Sequence, residues 1–249
     1  MRLFVVNPNI SESVSELIGD EAKRVASPGT EITMATAPFG VAYIETRFEA
    51  LIGAYAASQV IAEHAPGHDA VVVAAFGDPG VPGLREALDI PVVGITEAAL
   101  MSACLLGKRF SIVAISKRIT AWYRECVEYN GLLGRLASIR SLGQPLADIG
   151  SVQTDYSRQL RELCVAAVEE DGADVIILAG APLAGLARTM KGDLPVPVVD
   201  GVSSAVRHAE TLVRLDPGIA RAGSFAPPPS KLNVGLPDSI QRLLRSSTA

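Results

Sequence analysis

Apolar residues in this chain fall into short solid blocks, and the stretches between them carry apolar positions at helical spacing. Blocks of β-branched residues alternating with such stretches mark βαβ units around a parallel sheet. The pattern predicts strands at 3–6, 31–36, 70–75, 92–95, 110–115, 136–141, 175–179 and 198–200. It predicts helices at 11–26, 44–63, 83–88, 97–106, 119–128, 154–171, 182–190 and 202–215. The third and seventh strands are apolar at almost every position, as expected of central parallel strands covered on both faces.

The pattern is written twice. Asp69-Ala-Val-Val-Val-Ala-Ala-Phe-Gly-Asp-Pro-Gly80 returns as Asp174-Val-Ile-Ile-Leu-Ala-Gly-Ala-Pro-Leu-Ala-Gly185. Ile90-Pro-Val-Val-Gly94 returns as Val196-Pro-Val-Val-Asp200, and Arg2-Leu-Phe-Val-Val6 pairs with Arg109-Phe-Ser-Ile-Val-Ala-Ile115, all at offsets of 105 to 107 residues. One shift relating three strands predicts an α/β fold of two pseudo-symmetric halves, each with a four-stranded parallel sheet, and a site in the cleft between them. The expected limits are 1–107 with a returning segment 198–218 for the first half and 108–197 for the second. Residues 219–249 form a tail that its prolines keep extended, expected to lie on the surface or to reach a neighbouring subunit.

Composition narrows the partners. Hydrophobic residues are 49% and charged residues 20%, a balance that supports a compact soluble protein rather than a disordered one. Net charge is −5 with scattered lysines and arginines, which argues against nucleic acid. The apolar blocks are far shorter than the roughly 20 residues that span a bilayer, so no membrane segment is expected. The amino terminus opens directly into a strand without the features of a secretory signal, and cytoplasmic residence is the expectation. Cys104, Cys126 and Cys164 are odd in number, unevenly spaced and without a CxxC, so neither disulfides nor a thiolate metal site are expected, and each cysteine reads as core. His64 and His68 are separated by Pro66-Gly67, which breaks the helix that a metal-binding pair four apart requires. Neither GxGxxG after the first strand nor GxxxxGK[ST] occurs, so no cofactor is expected.

In open parallel sheets, ligands bind beyond the carboxyl ends of the strands. After the first strand, Ser11 or Asn9 is placed to cap the helix that follows, and Asn9 could equally offer its amide to a ligand. After the third, Ala75-Phe76-Gly77-Asp78 and the residues to Gly80 form a turn whose backbone N–H groups would hold an oxygen. After the seventh, Gly180-Ala181-Pro182 offers the same geometry by symmetry. Asp78, Glu97 and Asp200 are the acid or base candidates, each with a local alternative: Asp78 in a turn, Glu97 in a first helical turn, Asp200 as an N-cap. Tyr43, with Glu45, follows the second strand near a substrate entrance. Ser116 and Tyr123 follow the fifth within reach of a ligand.

These residues carry a resemblance. Asn7-Pro-Asn9, Phe76-Gly-Asp-Pro-Gly80, Gly94-Ile-Thr-Glu-Ala98, Leu183-Ala-Gly-Leu-Ala187 and Pro197-Val-Val-Asp-Gly201 resemble the hydantoin and allantoin racemase branch of the aspartate/glutamate racemase superfamily, over about the first 215 residues. The resemblance implies two flavodoxin-like halves, no cofactor, a small-molecule substrate and a homo-oligomer. It also implies racemisation by two cysteines that face the α-carbon from opposite sides, one thiolate removing a proton and the other thiol returning one. The matching positions here are Ala75 and Gly180, and neither can transfer a proton. The expected function is therefore proton-transfer isomerisation of a hydantoin-like ureide or α-substituted carboxylate by a noncysteine acid or base. The alternatives are a decarboxylase or other lyase, a cyclic-ureide hydrolase, or a noncatalytic sensor of a small ligand.

Overall fold

The structure is a computed structural model that describes residues 1–143 and 148–246; residues 144–147 of the second half and 247–249 of the expected tail lie outside the described residues. The first half runs β1 (Arg2–Asn7), α1 (Glu12–Val25), β2 (Glu31–Thr36), α2 (Arg47–His64), β3 (Ala70–Val73), α3 (Val81–Ala87), β4 (Val92–Gly94) and α4 (Ile95–Leu106). The second follows with β5 (Phe110–Ala114), α5 (Thr120–Tyr129), β6 (Leu136–Ser141), α6 (Val152–Asp155), α7 (Ser157–Glu169), β7 (Val175–Ala179), α8 (Leu186–Thr189), β8 (Val198–Asp200) and α9 (Gly201–Leu215). The last helix, α10 (Asp238–Ser246), belongs to the tail. The strands form two four-stranded sheets ordered β2-β1-β3-β4 and β6-β5-β7-β8, parallel throughout.

All eight expected strands are present, and the helices differ where backbone chemistry intervenes. Helix α2 starts at Arg47 because Thr46 and Glu49 form a capping box: the Glu49 N–H donates to Thr46 Oγ1 (3.2 Å) and the Thr46 N–H to Glu49 Oε2 (2.8 Å). The single helix expected at 154–171 is divided at Tyr156 into α6 and α7. The helix expected at 182–190 is a 3₁₀ turn over Ala181–Leu183 followed by α8, because Gly185 interrupts it in the left-handed region (φ +78°). Gly80 takes the same conformation (φ +83°) at the corresponding place before α3, so the repeat extends to the backbone angles.

The halves exchange their final helices. Helix α4, which leaves the first sheet at β4, packs on β7 and β8 of the second, and α9, which leaves β8, packs on β3 and β4 of the first. The two helices also pack on each other. One buried cluster consequently runs through both sheets, from Leu3, Val5 and Val72 to Ile112 and Ile177, by way of Leu100 on α4 and Val206 on α9. The pairing of β8 with β7 places 198–200 in the second sheet, so the segment returning to the first half starts at Gly201 rather than at 198.

The tail lies on its own first half. Arg221 pairs with Asp89 (2.5 Å), the Arg85 guanidinium carbon stands 6.0 Å from the centre of the Phe225 ring, and α10 packs on α2 and α3. Among the described residues, no helix is long and apolar enough to cross a membrane.

Candidate active site

The turn after β3 is locked onto the start of α4. The Gly77 N–H donates to Thr96 Oγ1 (2.6 Å), and Asp78 accepts the Thr96 N–H on Oδ1 (2.8 Å) and the Glu97 N–H on Oδ2 (2.9 Å). Asp78 thereby caps a helix eighteen residues farther along the chain, itself at a positive φ of 49°. Gly94, at the cap position of α4, makes room for it: a Cβ there would stand 2.2 Å from the Asp78 carboxyl carbon. In the second half the equivalent of Gly94 is Asp200, which caps its own helix by accepting the Ser203 N–H (2.9 Å).

Burial and the neighbouring charge of Glu97 push the Asp78 carboxyl up from its ordinary 3.8 to about 7, against the two backbone N–H bonds that favour its charged form. Asp78 lines a cavity of about 250 Å³ to which both halves contribute. Asp78, Arg85 and Glu97 come from the first half, and Trp122, Cys126 and Tyr129 from α5 of the second. Glu97 pairs with Arg85, which also donates to the Val92 carbonyl oxygen (2.8 and 3.0 Å). The Trp122 indole crosses Gly77 so closely that a Cβ there would meet it at 2.3 Å, and it also packs against the small cluster of Ile44, Ala50 and Ala75. Burial, together with the nearby Asp78 and Glu125 charges, pushes the Cys126 thiol up to about 12.

The other candidates sit as follows. Asn9 is buried and accepts the Ser11 N–H (2.9 Å) and the Asn7 amide (2.9 Å) on Oδ1, so its oxygen serves the turn before α1. Ala75 packs with Ile44 and Ala50, and Phe76 turns into the shared core against the Tyr123 ring, with centroids 4.6 Å apart. The Gly77 and Asp78 N–H groups are consumed by Thr96 and by the Ala75 carbonyl (3.1 Å). In the second turn, Leu183 and Ala184 donate to Gly180 and Ala181. The N–H groups of Phe76 and Ala181, next after Ala75 and Gly180, take no part in these turn bonds.

Tyr43 comes from the first half, packs on the second-half cluster that holds Ile115 and Leu183, and buries a hydroxyl that has no hydrogen-bond partner among the described residues. Ser116 donates to Glu45 across the halves, near an Arg47–Glu125 pair that does the same at the surface. Pro182 is buried, and its carbonyl accepts the Gln153 amide (2.9 Å).

Asp200 stands apart from Asp78 and Glu97. It lines a second cavity of about 520 Å³ with Glu21, Arg24, Arg188 and Ser203. Cys164 is buried and Cys104 half-buried, whereas Cys126, expected in the core, lines the inter-half cavity. Arg85, Trp122 and Cys126 were not legible as cavity residues. The one available signal was that Trp122 is the only tryptophan in the chain. Among the described residues, no group of three or more metal-ligating side chains is placed to hold an ion.

Fold and cavity together define a pseudo-twofold α/β protein whose halves share a core and both line one cavity. Residues 3–209 match the family model described as Asp/Glu/Hydantoin racemase. The chain is 36% identical over 233 residues to the hydantoin racemase of Paenarthrobacter aurescens, covering 93% of this chain and 99% of that protein. It is 32% identical to the hydantoin racemase of Pseudomonas sp. strain NS671, covering 97% and 98%. The structure of allantoin racemase from Klebsiella pneumoniae superposes with a TM-score of 0.91 at 36% identity, covering 96% of this chain and 98% of that one. The chain belongs to the Asp/Glu/hydantoin racemase family.

Proposed function

We propose that this chain is a racemase-like enzyme that moves a proton at the α-carbon of a small cyclic ureide of the hydantoin class, with Asp78 as its acid–base group. The reading is carried by one observation: Asp78 lines the inter-half cavity, where burial and the neighbouring Glu97 charge push its carboxyl up to about 7. A group with a pKa close to the working pH is suited to take up and return a proton. The Asp78 carboxylate removes the hydrogen, the C–H electron pair moves toward the adjacent carbonyl, and backbone N–H groups hold the oxygen that becomes negative.

The test is deuterium wash-in at the α-carbon of a panel of hydantoins, followed by proton NMR with the substrate mass monitored. Exchange without loss of the parent mass is expected, with a rate that rises with pH through about 7 as Asp78 ionises. Asp78→Asn should lower it by about 10²–10⁴. Absence of exchange across the panel removes the proposal.

A second reading draws on an asymmetry. The repeat places Leu183 where the first half has Asp78, so the two turns offer one carboxyl rather than two. One positioned acid suits a lyase or a ureide hydrolase. Uptake of water by a hydantoin, or loss of carbon dioxide from an α-carboxylated substrate such as a substituted malonate added to the panel, seen as a change of mass, would favour it.

A further inference from the structure

The cysteine pair is missing from the strand ends, yet the inter-half cavity has a titratable group on each side. Asp78 reaches it from the turn after β3 in the first half, and Cys126 from α5 in the second. Of the other ionisable groups that line it, Arg85 pairs with Glu97 and Glu125 with Arg47, and Tyr129 is mostly exposed to solvent. Tyr123 is buried, its ring tilted against that of Phe76, and is not among the residues lining the cavity.

We propose that Cys126 is the second catalytic group, delivering a proton from the second half to the face of the α-carbon opposite Asp78. The inference rests on the proton-transfer reading above and adds its missing partner. In the first step the substrate C–H bond breaks and the Asp78 O–H bond forms. In the second the Cys126 S–H bond breaks and a C–H bond forms on the other face, leaving a thiolate. The cycle closes when Asp78 returns its proton to that thiolate, directly or through water. No oxidant or other reactant is required. The chemistry fits the environments: a thiol kept neutral by burial is a donor that stays loaded, and a thiolate formed there is the stronger base of the two, so reloading from Asp78 runs downhill.

The pairing separates two events that a symmetric cysteine pair would join. Removal and return of the proton by Asp78 alone exchanges hydrogen for deuterium with retention, whereas inversion needs Cys126. The full chain is therefore given one enantiomer of a 5-substituted hydantoin in deuterium oxide, with wash-in followed by NMR and inversion by polarimetry. Cys126→Ala is expected to keep wash-in into the starting enantiomer within about threefold and to lose inversion by about 10²-fold or more. Cys126→Ser, which keeps a weak protic donor, should recover a measurable part of the inversion. Asp78→Asn should lose both.

Inversion by Cys126→Ala at the wild-type rate would overturn the proposal while leaving the proton-transfer reading intact. Equal loss of wash-in and inversion in Cys126→Ala and Cys126→Ser, with unchanged thermal midpoints, would overturn it as well. No wash-in by the wild-type chain would instead defeat the underlying reading.

Discussion

A carboxyl at a helix amino terminus is ordinarily stabilised as an anion, and Asp78 is an exception with a measurable consequence. Its folded-state pKa of about 7 lies above the ordinary 3.8, so the folded protein binds more protons than the unfolded chain between those values. The stability that this group contributes is full below about 3.8 and falls as pH rises through 7. Asp78→Asn keeps one cap acceptor, on Oδ1, but turns an amide N–H toward a backbone donor. It should cost about 0.5–2 kcal/mol at low pH. Because the amide does not titrate, the gap to wild type should narrow as pH rises to 8, as measured by thermal or urea unfolding across that range.

Asp200 shows a related effect by simple counting. Ser203 Oγ stands 2.5 Å from Glu21 Oε1 and 2.9 Å from Asp200 Oδ2, yet a hydroxyl has one hydrogen. Two ionised carboxylates would leave one contact without a proton. Burial raises the Asp200 pKa, with the Glu21 charge adding to it, whereas hydrogen bonds from Arg24 and Ser203 hold Glu21 low in spite of its own burial. Asp200 is thus the carboxyl of the two that takes up a proton more readily, and Asp200→Asn, whose amide can donate to Ser203, should cost less stability than Asp200→Ala. Asp200→Ala should cost about 1–2 kcal/mol, the value of a lost N-cap.

At the scale of elements, two glycines beside the site have opposite prospects. Gly94→Ala puts a methyl group into the Asp78 carboxyl and must displace the cap of α4, for a cost of about 1–3 kcal/mol. Gly83 lies inside α3 with nothing near its missing Cβ, and Gly83→Ala should stabilise by about 0.5–1 kcal/mol. Denaturation of the two variants side by side checks both signs.

The strands and most helices were legible because their periodicity is local, as in the solid Val-rich run of β3, whereas the start of α2 at Arg47 rather than at 44 is set by the Thr46–Glu49 capping box. The division of α8 from the turn before it depended on the backbone angle of Gly185. The site was harder to read. Asp78 could be picked out as a turn residue, but its partners are backbone N–H groups that only the topology brings near. Cys126 occupies a helix position like any core residue, and its exposure to a cavity arises only when α5 docks against the first half.

On the scale of the molecule, the shared core means that neither half is a separate unit. Unfolding followed by calorimetry should give one transition, with fluorescence of Trp122 and far-ultraviolet ellipticity changing together. A fragment of residues 1–107 retains α4 without the sheet it covers and lacks α9 over β3 and β4. As a monomer it should remain unfolded or molten, whereas independent folding of that fragment would contradict the shared core. The Arg47–Glu125 bridge between the halves is exposed on both sides and screened by solvent, so Glu125→Gln should leave the thermal midpoint nearly unchanged.

The traded helices also bear on how such a chain arose. A lone ancestral unit of half this length would have closed its core only by swapping its last helix with a second copy, and its folding would have depended on concentration. Joining two copies end to end replaces that encounter with a tether, at an effective local concentration in the millimolar range for a short connection. Once tethered, the copies no longer had to match. One was then free to cap its traded helix from a distant turn with Asp78, while the other kept the cap in its own chain at Asp200.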